Sequence, residues 1–566
     1  MTDPVLVGAA LSPLVIVAVL LVGALWPATR AMPVAWGAAV LVAWGVWNLP
    51  VEWIAATTLW GVLLAVEILW IVFGALVLLY TLTRAGAVER INRGFAAISE
   101  DRRVQVVLLG FFLATFLEGV AGFGTPAAVV APLLLALGFP AMAAVVAALV
   151  GHAIATTFGA VGVPVQPGVS DPVAALDGLS TAEAADIAVE AASLAAMYQG
   201  IIGLFMPLLA VGMVVYFFGD PDERSLAPLR PVVPLCLFAG LAFVVPFTLT
   251  ALVVGPELPS IVGSMVGAAV VVGTLRAGYL LPEEEWSFPA RERWPDHWVG
   301  SVEPGGSATD EEPAGTGADD GPSMSLVRAW SPYLLLVVLL VVTRDFTPVG
   351  ELLREITVLA PTWENILGTS VSNGVEWAYV PGTWLVASAL LAVPLFGMDR
   401  EQVSGAWREA GRTIGSPAVA LVFVIGMVGI MLESGQYPGA PGGQSMMVVL
   451  ADGTGAVFGD VYTAVAVPIG TLGTFITGSI TVSNITFSGL QYEVAGQAGL
   501  PEQHVLAAQI AGGAIGNSIA IHNVIAALAT VGLVGQEGRV IRLNLIPVLY
   551  YALAIGGLLT VSVVVL

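Results

Sequence analysis

The run Phe116-Leu117-Glu118-Gly119-Val120-Ala121-Gly122-Phe123-Gly124-Thr125-Pro126-Ala127-Ala128 lies inside a long apolar stretch, yet it carries a carboxylate, three glycines and a proline. A lipid-facing helix has no use for these residues. Irregular backbone at membrane depth survives only where protein or a watery cavity satisfies its polar groups. A second such run stands near the other end of the chain: Phe475-Ile476-Thr477-Gly478-Ser479-Ile480-Thr481-Val482-Ser483-Asn484-Ile485-Thr486-Phe487-Ser488. Two interrupted apolar segments in corresponding places of two halves point to the binding site of a secondary transporter.

The surrounding composition agrees. The 566 residues are 57% hydrophobic and 11% charged, with a mean hydropathy of +0.91, which describes a polytopic membrane protein in a lipid bilayer. Net charge is -22, and all 19 basic residues are Arg. Such an acid-rich, Lys-free surface suggests a host adapted to high salt. It argues against nucleic acid or anionic lipid as a partner. Cys236 is alone, so neither a disulfide framework nor a cysteine metal site is expected. No P-loop, dinucleotide fingerprint, HExxH or nucleophile elbow is present, which speaks against ATP-driven transport, and the four His and few buried acids supply no acid-base or metal cluster for a membrane-embedded enzyme. No cofactor is expected.

Apolar segments of spanning length are expected near 5–27, 33–50, 59–83, 139–163, 187–217, 232–254, 258–277, 326–343, 379–397, 413–434, 505–533 and 543–566. The first is long enough to span and lacks an A-x-A cleavage site, so it reads as a retained helix. The expected fold is therefore all-α and polytopic, with about twelve transmembrane helices plus two re-entrant or broken hairpins at 104–138 and 461–490. An N-terminal half (1–281) and a C-terminal half (326–566) are joined by an acidic, disordered loop at 282–325. The segment 344–378, with Trp363 and Trp377, reads as an interfacial excursion.

Arginine placement gives the orientation. Loop 84–103 holds Arg84, Arg90, Arg93, Arg102 and Arg103, and loops 398–412 and 535–542 are also Arg-bearing. These, with 278–325, are expected in the cytoplasm of a multi-pass cell-membrane protein whose two termini lie outside. Loops 164–186 and 435–460 contain acids and no Arg, so they are expected outside. The two irregular stretches then approach from opposite faces, the signature of inverted-topology repeats, although full crossings by helix pairs fit the same parity. The clear internal match is 104–163 with 461–533.

Several residues could carry chemistry. Glu118 is the only acid between Val104 and Val169. An ionisable group at membrane depth commonly marks an ion or proton path, though it could also cap the hairpin backbone. His152 and His522, half of the four histidines, lie mid-span and could relay protons or simply bond a backbone carbonyl. Glu67 is a weaker proton-path candidate, and Glu433, near a span end, is expected to be wet. Gly119, Gly122 and Gly124 permit tight turns, Pro126 can start a helix, and Thr125 could cap it. No Arg stands at membrane depth, so an anionic substrate must be held by helix N-termini, hydroxyls and amides. Thr156, Ser479, Thr481, Ser483, Asn484, Asn517 and Asn523 are the expected polar contacts; helix packing and back-bonding are the plainer readings of the glycines and hydroxyls.

At these residues the chain resembles the lactate permease family. The resemblance is carried by Phe116 to Pro126, by Phe158-Gly159-Ala160-Val161-Gly162-Val163-Pro164, by Phe475 to Ser479 with Ser483-Asn484, by Gly512-Gly513 and by Ala529 to Gly538. It runs from about residue 10 to the C-terminus, outside 282–325. It implies proton symport of lactate and small 2-hydroxy monocarboxylates such as glycolate, and a larger transporter group with paired re-entrant hairpins. The chain departs from the family pattern at four places. The pattern has an Asp where this chain has Ile480, a Lys at Asn517, a Ser-Pro-Gln at Ile521-His522-Asn523 and an Asn at His152. The run Ser483-Asn484-Ile485-Thr486 is also similar to the Ser-Asn-Thr tips of sodium-coupled carboxylate transporters, which makes sodium the alternative coupling ion.

Overall fold

The computed structural model describes residues 3–565 except 25, 123, 177–178, 221, 223, 303–323, 344–346 and 534. Among the described residues, nine helices are long and apolar enough to cross a membrane, ten with the bent pair Ala141–Gly151 and Ala153–Gly162. A helix stands at each of the twelve expected spans; Leu326–Val342 and Pro381–Phe396 are shorter than the rest. The protein is an all-α polytopic membrane protein.

One order of elements occurs twice. A helix (Ala28–Gly45), a 34-residue helix (Val51–Arg84), a short helix (Ala87–Ala96), a helical hairpin, a broken helix and a long helix (Thr181–Phe218) form the first series. Pro381–Phe396, the 34-residue Arg400–Glu433, Met446–Phe458, a hairpin, Glu502–Thr530 and Glu537–Val563 form the second. The two 34-residue helices pack antiparallel. A side chain at Gly61 or Gly429 would run into the facing backbone, so small residues set their close approach. At the other end Arg84 reaches Glu409 at 2.9 Å.

The first hairpin comprises Arg102–Val120 and Thr125–Ala136, and the second Tyr462–Thr477 and Ile480–Gln497. Each turn uses glycines in the left-handed region, where a side chain would be strained: Gly122 (φ 58°) and Gly124 (φ 77°) in the first, Gly478 (φ 78°) in the second. The first hairpin returns to where it began, for the Arg102 guanidinium stands 5.8 Å from the centre of the Phe139 ring.

Each hairpin lies along the broken helix that follows it in sequence. Gly151 meets the Gly110 carbonyl, Gly512 meets the Val467 carbonyl and Gly516 meets the Thr471 carbonyl, contacts with no room for a Cβ. Beyond its break each of these helices runs beside the other hairpin: Asn484 Nδ2 donates to Pro164 O at 2.8 Å, and Gly124 abuts Asn523. The two tips meet inside the bundle.

The breaks are satisfied by polar side chains of neighbouring helices. Ser260 Oγ donates to Ala155 O at 2.7 Å in the first, and Asn544 Nδ2 donates to Ser518 O at 2.7 Å in the second. The expected uniform span 139–163 is therefore corrected. The chain turns 3-10 at Ala153–Phe158, and Ala160, Val161 and Gly162 then adopt positive φ. The expected outer loop 164–186 is likewise corrected in its first part, since residues 163–173 stay largely buried.

Three further expectations change. Loop 435–460 contains the helix Met446–Phe458, capped by Ser445 and packed on its Met446, Met447, Val449 and Leu450 side. Its apolar run is too short to span and so escapes a search for membrane segments. Residues 282–302 of the acidic segment are ordered. Arg103 donates to Glu284 O at 2.8 Å, Trp286 N donates to Asp101 at 2.9 Å, and Ser301 N donates to Gly532 O at 2.8 Å. Residues 303–323 lie outside the described residues. Glu433, near a span end, is buried and accepts from Gln436. The interfacial segment holds a helix (Pro348–Glu355) and a two-stranded antiparallel ladder pairing Thr362 with Gly374, with Trp363 and Trp377 exposed.

Candidate functional site

The tips and the breaks enclose a small cavity lined by Glu118, Gly122, Thr156, Gly159, Ala160, Pro164, Gly478, Ser479, Ile480, Thr481 and Asn517. Its volume is about 10 Å³, room for about one water molecule. Six of the expected site residues line it: Glu118, Gly122, Thr156, Ser479, Thr481 and Asn517.

Glu118, on the last turn before the first tip, is buried. Gly159 makes this possible, because a Cβ there would sit 2.5 Å from Glu118 Oε1. Glu118 Oε2 has no hydrogen-bond partner among the described residues and lies 3.9 Å from His152 Nε2. His152 is fully buried, and its Nδ1 is 2.6 Å from Ala148 O. A carbonyl can only accept, so Nδ1 carries the hydrogen and Nε2 presents a lone pair. Asn517 Nδ2 donates to that lone pair at 3.3 Å, and Asn517 Oδ1 accepts from Asn523 Nδ2 at 2.6 Å. Asn523 Oδ1 has no partner among the described residues. A line of polar groups therefore runs from Glu118 through His152 and Asn517 to Asn523, drawing on both repeats. His152 and Asn517, two of the positions at which the chain departs from the resembled pattern, are in direct contact.

The second tip offers donors. Ser479 is the N-cap of Ile480–Gln497, its hydroxyl accepting from Val482 N. The amides of Ile480 and Thr481, first in the helix, have no acceptor within it, and both residues line the cavity. A helix N-terminus of this kind favours an anion without any fixed positive charge.

The other expected residues surround the cavity without lining it. Thr125 does not cap its helix: Gly124 occupies that position, and both the amide and the hydroxyl of Thr125 donate to Gly122 O. The N-terminus of the first hairpin's return helix is thereby partly consumed, and the donors come from the second tip. Gly119 packs against Ser260 and Ile261, and Gly124 against Asn523. Ser483 and Asn484 belong to a buried amide network: Gln509 Nε2 is 3.2 Å from both side-chain oxygens, and Gln491 Nε2 donates to Gln509 Oε1 at 2.9 Å. His522 does not line the cavity; it is exposed, its ring against Gly478 of the second tip.

Sequence reasoning did not select Gly159, Ala160, Pro164, Gly478 or Ile480 for the site. It also passed over Gln509 and Gln491, whose amides inside apolar helices are the signal that could have found them.

Residues 7–566 match the L-lactate permease family, over nearly the whole length. The chain belongs to the L-lactate permease family. It is 27% identical over 512 residues to a putative L-lactate permease of Haemophilus influenzae, covering 87% of this chain and 86% of that one. It is 26% identical to the L-lactate permease of Salmonella typhimurium, covering 93% and 90%. It is also 26% identical to the glycolate permease GlcA of Escherichia coli, covering 91% and 88%. Among solved structures, the YdaH transporter of Alcanivorax borkumensis aligns over 87% of this chain and 84% of its own, at 13% identity and a TM-score of 0.38. That likeness is too distant to bear on the site. Membership makes this lactate-permease-family chain a transporter, not an enzyme.

Proposed function

We propose that this permease takes up lactate and related small 2-hydroxy monocarboxylates, glycolate among them, together with a proton across the cell membrane. The observation that carries the reading is the meeting of two tips and two helix breaks around a buried, unpaired Glu118 oxygen beside His152. The substrate class is supported by the names of the relatives, L-lactate permease and glycolate permease.

In this reading the substrate carboxylate meets the amides of Ile480 and Thr481 and the hydroxyls of Ser479, Thr481 and Thr156. The Asn517 amide suits the 2-hydroxyl, being able to donate and accept. A carboxylate beside an ionised Glu118 would place two like charges in one buried site, which is strongly unfavourable at low dielectric. Taking up a proton onto the Glu118–His152 pair with each substrate removes that conflict, which is what coupling requires. Ser483, Asn484, Asn523, Gly119, Gly124 and Thr125 shape the tips, and His522 is a second candidate for proton transfer. A cavity of about 10 Å³ cannot hold lactate, so the tips part to admit it. Arginine-bearing loops 84–103, 278–302, 398–412 and 535–542 share one end of the molecule, and the Arg bias assigns that end to the cytoplasm.

Purified protein in proteoliposomes tests the proposal. Labelled lactate uptake should saturate, support counterflow, persist in sodium-free buffer and collapse when the proton gradient is dissipated. A requirement for sodium would replace the coupling ion, and non-saturating flux without counterflow would replace the transporter with a pore.

A further inference from the structure

A second and larger cavity, about 290 Å³, lies away from the tips, at the Arg-bearing end of the bundle. Three helices each turn one face toward it. Ala87–Ala96 and the turn after it contribute Ile91, Gly94, Phe95 and Ile98. Pro259–Arg276 contributes Met265, Ala268, Ala269, Val272 and Arg276, the i, i+3, i+4 spacing of a single stripe. Leu326–Val342 contributes Leu326, Trp330 and Leu334, one residue per turn. These apolar faces converge on a groove that no segment among the described residues fills.

The chemistry of the groove is graded along its length. Met265 to Arg276 is eleven helical steps, about 16 Å, roughly half of a ~30 Å hydrocarbon core. The far end is wholly apolar. The near end carries Arg276, the last residue of its helix, exposed and without an ion pair among the described residues. Beside it lies Ala87–Ala96, which sets Glu89, Arg90 and Arg93 on one face and the buried Val88, Ile91 and Phe95 on the other. That is the pattern of a helix lying in the membrane interface. On that helix Arg93 is paired with Glu89 at 3.3 Å and Arg90 Nε donates to Met324 O at 2.8 Å, while Arg276 is the cation that lines the groove.

We propose that this groove is a binding site for one phospholipid of the adjoining leaflet, with an acyl chain against Met265, Ala269, Trp330 and Leu334 and an anionic headgroup on Arg276. The site is local and basic on a chain whose net charge is -22, so whole-chain acidity does not forbid it. Basic pockets between transmembrane helices bind anionic lipid headgroups, and here Arg276 supplies the positive charge at the mouth of an apolar groove.

The full-length protein is reconstituted in vesicles of four parts phosphatidylcholine to one part phosphatidylglycerol, re-extracted in mild detergent and examined by native mass spectrometry. One lipid per chain should remain, with the bound ratio of phosphatidylglycerol to phosphatidylcholine about five-fold above that of the vesicle, the preference expected of one interfacial Arg. Arg276→Gln, an exposed change that leaves the packing alone, should return the bound lipid to the vesicle ratio. Ala269→Trp should abolish retention, while Val270→Trp on the neighbouring exposed position should not. No retained lipid in the parent protein, lipid retained at the vesicle ratio, or enrichment unchanged in Arg276→Gln would each overturn the proposal. Arg276→Gln keeps it testable should Ala269→Trp fail to fold.

Discussion

Glu118 Oε2 stands 3.9 Å from His152 Nε2, and among the described residues that nitrogen accepts from the Asn517 amide alone, at 3.3 Å. The carboxyl comes from the first hairpin, the imidazole from the broken helix that follows it and the amide from the corresponding broken helix of the second repeat. A proton placed on either titratable group is within reach of the other after a small rotation. Glu118→Gln keeps the shape and removes the titration. Counterflow of labelled lactate in proteoliposomes should stay within about three-fold of the parent, whereas accumulation driven by a pH gradient should vanish, as expected for loss of a proton carrier at membrane depth. Unchanged gradient-driven accumulation would remove Glu118 from its assigned role.

Asn517 links the two repeats, so its loss should be felt by both stability and transport. Asn517→Leu leaves His152 Nε2 without its amide partner and Asn523 Nδ2 with only the backbone carbonyl of residue 517, at 3.4 Å. An unsatisfied buried polar group costs about 1–3 kcal/mol each. Thermal unfolding in detergent should shift downward accordingly, and gradient-driven uptake should fall by at least about ten-fold, since 1.4 kcal/mol is a factor of ten. Asn517→Gln, which keeps an amide able to accept from Asn523 Nδ2 and to donate to His152 Nε2, should recover part of both the stability and the transport. Equal behaviour of the two variants would mean that Asn517 is a packing residue only.

How far the sequence reaches can be judged from these residues. The hairpins were legible because Glu118, the left-handed glycines and the Ser479–Ser488 hydroxyls contradict a lipid-facing helix. The expectation that the tips approach from opposite faces came from counting Arg in short loops. The first helix break was not legible. Ala153 to Phe158 contains neither Gly nor Pro and would read as ordinary helix; it is held open from outside, by Ser260 on the Ala155 carbonyl and by Gln199 beside Thr157 at 2.7 Å. The contact between His152 and Asn517, 365 positions apart, has no local signal at all. Thr125 was misread as a cap because the rule for N-caps does not say whether the hydroxyl will turn back to the preceding carbonyl.

The glycine contacts between each hairpin and its broken helix make a signed prediction. Gly512 has the Val467 carbonyl where a Cβ would go, whereas Gly411, in Arg400–Glu433, has nothing within 4 Å. Gly512→Ala should therefore destabilise by about 1–3 kcal/mol through overpacking. Gly411→Ala should be neutral or stabilise by up to about 1 kcal/mol, because it lowers the backbone entropy lost in a helix. Chemical denaturation in mixed micelles, read by tryptophan fluorescence, compares the two. Similar effects of like sign would contradict the close approach at Gly512.

The base of the first hairpin is fixed by an ion pair with unusually complete hydrogen bonding. Asp101 caps the helix through the Arg103 and Val104 amides and accepts from Trp286 N. Arg103 grips it at 2.5 Å and spends its remaining donors on Pro228 O and Glu284 O. Both side chains are buried, so removing one partner strands the other charge, an effect of about 3–5 kcal/mol. Arg103→Met should fall in that range and should also release residues 282–302, which this pair ties to the bundle. Limited proteolysis reports the second effect, with new cleavage at Arg291 and Arg293 by trypsin ahead of any cut in the membrane helices. In the double variant Asp101→Asn, Arg103→Met, stability should recover part of the loss, because no unpaired charge remains. A double variant no better than the sum of the singles would show that the pair acts only through its separate contacts to the backbone.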